Sequence, residues 1–91
     1  MSAVTTRTVE VVNPLGLHAR AAARFVRLAG AYRSQVKVGR GSRIVDGKSI
    51  LGLLLLAAAR GSQLAISAEG ADETDALAAL CDLASRGFED P

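Results

Sequence analysis

The spacing of apolar and polar positions changes period several times along this chain, and each change marks an element. Residues 5–12, TTRTVEVV, alternate loosely and are rich in Thr and Val, which predicts a strand. Asn13-Pro14 and Gly16 break it. From Ala19 to Gly30 the period becomes helical. Ala22, Phe25, Val26 and Ala29 share one face, Arg20, Arg24 and Arg27 fall largely on others, and Gly30 is a plausible stop. SQVKVG (34–39) and RIVD (43–46) predict two short strands joined by a Gly39-Arg40-Gly41-Ser42 loop. Asp46-Gly47 is a turn, and Ser49 is a good N-cap for a short helix over 50–56. QLAISA (63–68) alternates again, with Leu64 and Ile66 on one face.

The last element is the clearest. Asp72 is placed to cap a helix whose first turn holds Glu73 and Asp75, which suits the positive end of its dipole. Leu77, Leu80, Cys81 and Ala84 form its apolar stripe, Gly87 closes it, and Phe88 is positioned to fold back. The order is β-α-β-β-α-β-α. Half-apolar strands separated by helices predict an α+β protein: an antiparallel sheet with helices on one face. The 91 residues read as one domain with an ordered core over about 5–88, and 1–4 and 89–91 as loose ends.

Composition narrows the chemistry. A chain this short buries only about 60–65% of its unfolded surface, so a deep cavity around a large cofactor is not expected. Its 49% hydrophobic and 22% charged residues are ordinary for a soluble protein. The longest apolar run, 50–59, is too short for a membrane span. The N-terminus lacks a basic-then-apolar signal pattern, and the single Cys81 excludes an internal disulfide; both point to the cytoplasm. Net charge is +2, but its distribution is lopsided. Residues 1–60 carry ten Arg or Lys against two acids, and residues 61–91 carry one Arg against seven acids. The basic part could attract an anionic partner or could be scattered solvated charge.

Several chemistries fail on residue count. One His and one Cys cannot build a zinc site. Ser34, Ser42 and Ser49 lack any local nucleophile motif. Gly47-Lys48-Ser49 ends like a phosphate loop, but the first glycine of that pattern falls on Ser42. Nucleic-acid binding lacks exposed aromatics, since Phe25, Tyr32 and Phe88 are the whole supply and Phe25 reads as core.

His18 is the remaining candidate. Gly16 allows a sharp turn before it, and His18 falls at or next to the N-cap of the helix starting near Ala19. Free N–H groups and the positive dipole end there favour anions. Arg20, two residues on, can offer a guanidinium fork to phosphate oxygens. A neutral imidazole nitrogen is a good nucleophile near neutral pH. A phosphoryl group taken by His18 would be stabilised without being buried, and so could be passed on.

At this point two segments, NPLGLHARAAARFV (13–26) and VDGKSILGLLLL (45–56), make the chain resemble the HPr family, the histidine-containing phosphocarriers of the bacterial phosphotransferase system. The resemblance runs from about Arg7 to Phe88. It implies an open-faced β-sandwich, a four-stranded antiparallel sheet with three helices on one side. It implies that His18 accepts a phosphoryl group through Nδ1 from phosphorylated Enzyme I and donates it to an Enzyme IIA domain. The chain would then be a covalent shuttle, not an enzyme with its own turnover. Arg20 matches the family's phosphate-contacting arginine. Ser49 matches the serine that a dedicated HPr kinase modifies in some members. Ile50, Leu51 and Leu54, with Arg24, match positions that dock partners. A cytoplasmic monomer with no cofactor, no metal, no nucleic acid and no membrane insertion is the expectation.

The segment 50–56 is apolar on every side except Gly52, so the helix either is fully buried or leaves an apolar patch for a partner. Ser49 has the simpler role of a helix cap open to it as well. One position departs from the family: Ala21 stands where proline usually follows the arginine, which removes rigidity from the helix's first turn. The departure hints at a nitrogen-related branch of the system. The alternative to a carrier is a regulatory module of the same fold, acting through protein contacts set by phosphorylation of His18 or Ser49.

Overall fold

The structure is a computed structural model that describes residues 4–90. Strand β1 (Thr5–Glu10) leads into helix α1 (Ala19–Ala29). The β2–β3 hairpin (Gln35–Arg40 and Arg43–Asp46), helix α2 (Ile50–Leu55), strand β4 (Gln63–Glu69) and helix α3 (Glu73–Ser85) follow. A 3₁₀ turn over Gly87–Glu89 ends the described chain. The strands form one antiparallel sheet in the order β1-β4-β2-β3. This is an open sheet with three helices on one face, as the residue pattern and the family resemblance both predict.

The alternation read from the sequence sets which face is covered. Val36 and Val38 on β2, and Leu64, Ile66 and Ala68 on β4, point into the core, while Gln35, Lys37, Gln63 and Ala65 face out. Against that face pack Ala21, Ala22, Phe25 and Ala29 of α1, and Ala76, Leu77, Leu80, Cys81, Leu83 and Ala84 of α3. Helix α2 sends only Leu53 inward, with Leu56 just after it. So short a helix is marginal alone, and burying each of these leucines contributes about 1.5–3 kcal/mol that holds it in place.

The structure corrects several expectations. Strand β1 ends at Glu10, not at Val12; Val11 continues by bonding outside the ladder, its N–H to Ser62 O and its carbonyl to the Gly61 N–H. The hairpin loop is two residues, not four, because Gly39 and Arg40 pair with Ile44 and Arg43, and Gly41 takes the left-handed φ of +60° that so tight a turn needs. Gly30 stops α1 without going left-handed. Its φ is −65°, and the chain tightens into three-residue bonds from Ala31 N–H to Leu28 O and from Tyr32 N–H to Ala29 O.

Asp72 occupies the N-cap position of α3 but makes no side-chain cap. Its carboxylate instead accepts from the Arg33 and Ser34 N–H groups at 2.8 and 2.9 Å and from the Ser34 hydroxyl, tying α3 to the start of β2. The Ser34 hydroxyl above all, and then the Arg33 amide, pull its pKa down to about 2. Glu73, the first residue of α3, likewise reaches outside the helix, accepting from the Gly70 N–H at 3.1 Å and the Thr5 hydroxyl at 2.7 Å.

Residues 89 and 90, expected to be loose, are held in place. Phe88 is fully buried, and Glu89 and Asp90 are held by contacts described below. Residues 1–3 and 91, part of the same expectation, lie outside the described residues. Among the described residues no helix is long and apolar enough to cross a membrane.

Candidate functional site

The loop after β1 aims His18. Asn13 is buried and its side-chain amide donates to Gly16 O at 2.7 Å, closing the turn. Gly16 has φ +69°, and a Cβ there would lie 2.5 Å from Ala58 O, so only glycine fits. The Leu17 N–H then donates to Ala58 O at 2.9 Å, anchoring the loop to the segment after α2. His18 follows in extended conformation, φ −82° and ψ 179°, as the N-cap of α1.

Both imidazole nitrogens are engaged, and they select one tautomer. Nδ1 accepts the Arg20 N–H at 3.3 Å, so it carries a lone pair. Nε2 therefore carries the proton and donates to Asp90 Oδ2 at 2.8 Å. The His18 side chain is 24% exposed and that of Asp90 only 1%. Asn13 Nδ2 donates to the same Asp90 oxygen at 3.3 Å, and Arg20 Nη2 lies 3.4 Å from Asp90 Oδ1. The hydrogen bond from His18, opposed by burial and helped by Asn13 and by the nearby charges, holds Asp90 below the usual carboxylate range. Arg20 remains 58% exposed, free to meet an anion in front of Nδ1. The first turn of α1 contains no acid. Among the described residues the Ala21 N–H has no acceptor in the protein.

Arg24 sits one helical turn beyond Arg20. It is taken up internally, since Nη1 donates to Phe88 O at 3.0 Å and Glu89 O at 2.9 Å, clamping the turn that delivers Asp90. Other cations of the basic part are used in the same way. Arg40 and Arg43 donate to the last carbonyls of α2, Leu56 O at 3.1 Å and Leu55 O at 2.8 Å, and Lys48 donates to Tyr32 O at 2.8 Å. Four cations of the basic part, Arg24, Arg40, Arg43 and Lys48, therefore bind backbone carbonyls.

Ser49 is the N-cap of α2, its Oγ accepting the Gly52 N–H at 3.0 Å. Next to it Ile50, Leu51 and Leu54 are exposed, Leu51 by 69%, so the fully buried alternative for this helix is ruled out. Leu55 and, on the His18 loop, Leu15 are exposed as well, and the residue pattern singled out neither. His18 borders an open hollow lined by Leu15, Leu17, Ala57, Ala58 and Ala59. Ala57, with φ +49°, is the left-handed residue that turns the chain out of α2 into that hollow. Among the described residues no group of three or more His, Cys, Asp or Glu could hold a metal ion.

The structure thus brings His18 and Arg20 together and adds Asp90 and Asn13, which sequence reasoning missed. Asn13 left a trace as a turn residue. Asp90 left none, since a lone acid 72 positions from the histidine has no pattern to betray it.

Comparison with known proteins agrees with this geometry. Residues 5–86 match the model of the PTS HPr component phosphorylation site, a match that ends before Asp90. The phosphocarrier protein HPr of Pseudomonas aeruginosa is 48% identical over 83 residues, covering 90% of this chain and 92% of that protein. Among solved structures, HPr from Thermoanaerobacter tengcongensis superposes with a TM-score of 0.91 at 40% identity, covering 96% of this chain and 98% of the other. HPr from Bacillus anthracis gives 0.84 at 36% identity, over 88% and 95%. With the fold, the turn before the histidine and the sequence all in agreement, this chain belongs to the HPr family of phosphocarrier proteins.

Proposed function

We propose that His18 accepts a phosphoryl group on Nδ1 from phosphorylated Enzyme I and passes it to an Enzyme IIA domain. The observation that carries this reading is the state of the imidazole. Nε2 is tied to a buried carboxylate, so the one lone pair left is on Nδ1, at the open start of a helix with no acid in its first turn. A phosphoryl group bonded there would displace the 3.3 Å contact from the Arg20 amide to Nδ1 and take that amide for its own oxygens. The Ala21 amide and the exposed Arg20 guanidinium are further donors. These charge-assisted bonds hold the phosphate at the surface, where a second protein can collect it.

The exposed leucines and isoleucine of α2, with Leu15, offer the apolar area for docking both partners. Arg24 contributes by clamping the C-terminal turn more than by reaching a partner. Ser49, at the edge of this patch, is where added negative charge would disturb docking.

The test uses purified protein, Enzyme I and labelled phosphoenolpyruvate. Wild type should take up label that acid removes, as phosphohistidine does, and His18→Ala should take up none. An unlabelled wild type beside a normally labelled control HPr would sink the carrier reading.

A further inference from the structure

We propose that Asp90 is a positioning residue for His18: it keeps the imidazole proton on Nε2 and stabilises the cationic ring that forms when Nδ1 takes the phosphoryl group. The proposal rests on His18 being the acceptor. Its geometry is that of a buried carboxylate–imidazole couple. Asp90 Oδ2 lies 2.8 Å from Nε2, its side chain is 1% exposed, and Asn13 Nδ2 steadies the same oxygen from behind. Asp90 Oδ1 is also buried and has no hydrogen-bond donor, only the Arg20 guanidinium 3.4 Å away. The groups that face the imidazole are therefore one carboxylate and one guanidinium, with the Arg24 charge spent on the Phe88 and Glu89 carbonyls.

The transfer step shows why this matters. The Nδ1 lone pair forms the new bond to phosphorus, and the bond from phosphorus to the donor breaks with its electron pair leaving to the donor. The proton on Nε2 stays where it is, so the ring passes from neutral to positively charged. A carboxylate accepting that N–H favours the charged ring over the neutral one, as the aspartate does for the histidine of a serine-protease triad. In the onward transfer Nδ1 departs as a neutral imidazole, because its partner nitrogen has kept its proton. Without Asp90 only the 3.3 Å contact from the Arg20 amide opposes a proton on Nδ1, and the tautomer that carries it has no nucleophile at the helix start.

A purely structural role for Asp90 is the competing explanation, and the molecule separates the two. The C-terminal turn has its own anchors in the buried Phe88 and in Arg24, which donates to two of its carbonyls. Removing the Asp90 carboxylate should leave that turn in place.

The experiment compares wild type, Asp90→Ala and Asp90→Asn. The ¹⁵N resonances of the His18 ring, read at mildly alkaline pH without phosphate, report the tautomer. Single-turnover transfer from phosphorylated Enzyme I reports the rate. Asp90→Ala should mix the tautomers and slow acceptance by about tenfold or more, the scale of one hydrogen bond to a charged group. Asp90→Asn keeps an acceptor oxygen and the volume, so it should keep the Nε2–H tautomer yet still lose rate. The backbone amide spectrum away from residues 87–90 should be unchanged in both. A wild-type rate in Asp90→Ala overturns the proposal whatever the spectrum shows. If wild type accepts no phosphoryl group at all, it is the carrier reading that has failed, and the ring resonances still decide whether Asp90 holds the proton.

Discussion

Helices α1 and α3 begin in opposite electrical states, and the contrast explains where the chemistry is. The start of α3 is saturated by its own acids. Asp72 binds the Ser34 region, Glu73 takes the Gly70 N–H, and Asp75 adds further negative charge in the first turn. These acids counter the positive end of its dipole, so an anion gains little there. The start of α1 has no acid in its first turn, a histidine for a cap and an exposed arginine beside it. At α3 local charges counter the helix N-terminus. At α1 the N-terminus is left open, as the proposed receipt of a phosphate requires, and the carboxylate, Asp90, is placed behind the ring instead of in front of it. Helix α2 stands between the two cases, its end closed by the Ser49 hydroxyl.

The contrast can be broken most severely at Arg20. Replacing the guanidinium with Arg20→Ala should slow phosphoryl acceptance by about 10–100-fold, the scale of one or two hydrogen bonds to a charged group, with Arg20→Lys recovering only part. Rapid-quench transfer from phosphorylated Enzyme I measures it. A smaller effect, and a sharper one, comes from giving α1 what α3 has. Ala19→Asp at the exposed first position should stabilise the helix by about 0.3–1 kcal/mol and yet slow acceptance about fivefold, because a fixed carboxylate now competes with the phosphate for the dipole. Thermal unfolding and transfer rate should move in opposite directions; parallel movement would mean that the open helix end has no part in receiving the group.

At α2, Ser49→Ala should cost about 0.5–2 kcal/mol through the lost cap. Ser49→Asp should weaken Enzyme I binding through charge beside Ile50 and Leu51, and an unchanged transfer rate would remove Ser49 from any regulatory role by that route. The smallest effect on transfer is expected at α3. Asp72→Asn should leave the rate alone and lower the melting temperature at neutral pH. The folded pKa of Asp72 is below its ordinary value of 3.8, at about 2, so its stabilisation is complete above the ordinary value and fades as pH falls from there towards 2. The gap between variant and wild type should close over that window.

Most of the scaffold was legible because its signals are local. The alternation in 63–68, the stripe of Leu77, Leu80, Cys81 and Ala84, and the cap at Ser49 each depend on residues a few positions apart. His18 and Arg20 were legible for the same reason, being two residues apart at one helix start. The misreadings came from competition between local and distant partners. Asp72 looked like a cap, but the Ser34 hydroxyl and two amides of another element claimed it. Arg24, expected at a docking position, is also engaged by two carbonyls of the C-terminal turn, a contact that no local pattern shows. The acids near the end looked like a solvated tail until Phe88 entered the core and carried Asp90 to the histidine.

The sequence by itself therefore determined the element order, the buried face of every element but α2, and the candidate nucleophile, because periodicity and capping act within a turn or a strand. Only the tertiary structure decided what the other nitrogen of that ring faces. Nε2 meets a carboxylate 72 residues away, which reaches the imidazole because burial of Phe88 and the Arg24 clamp close the chain upon itself.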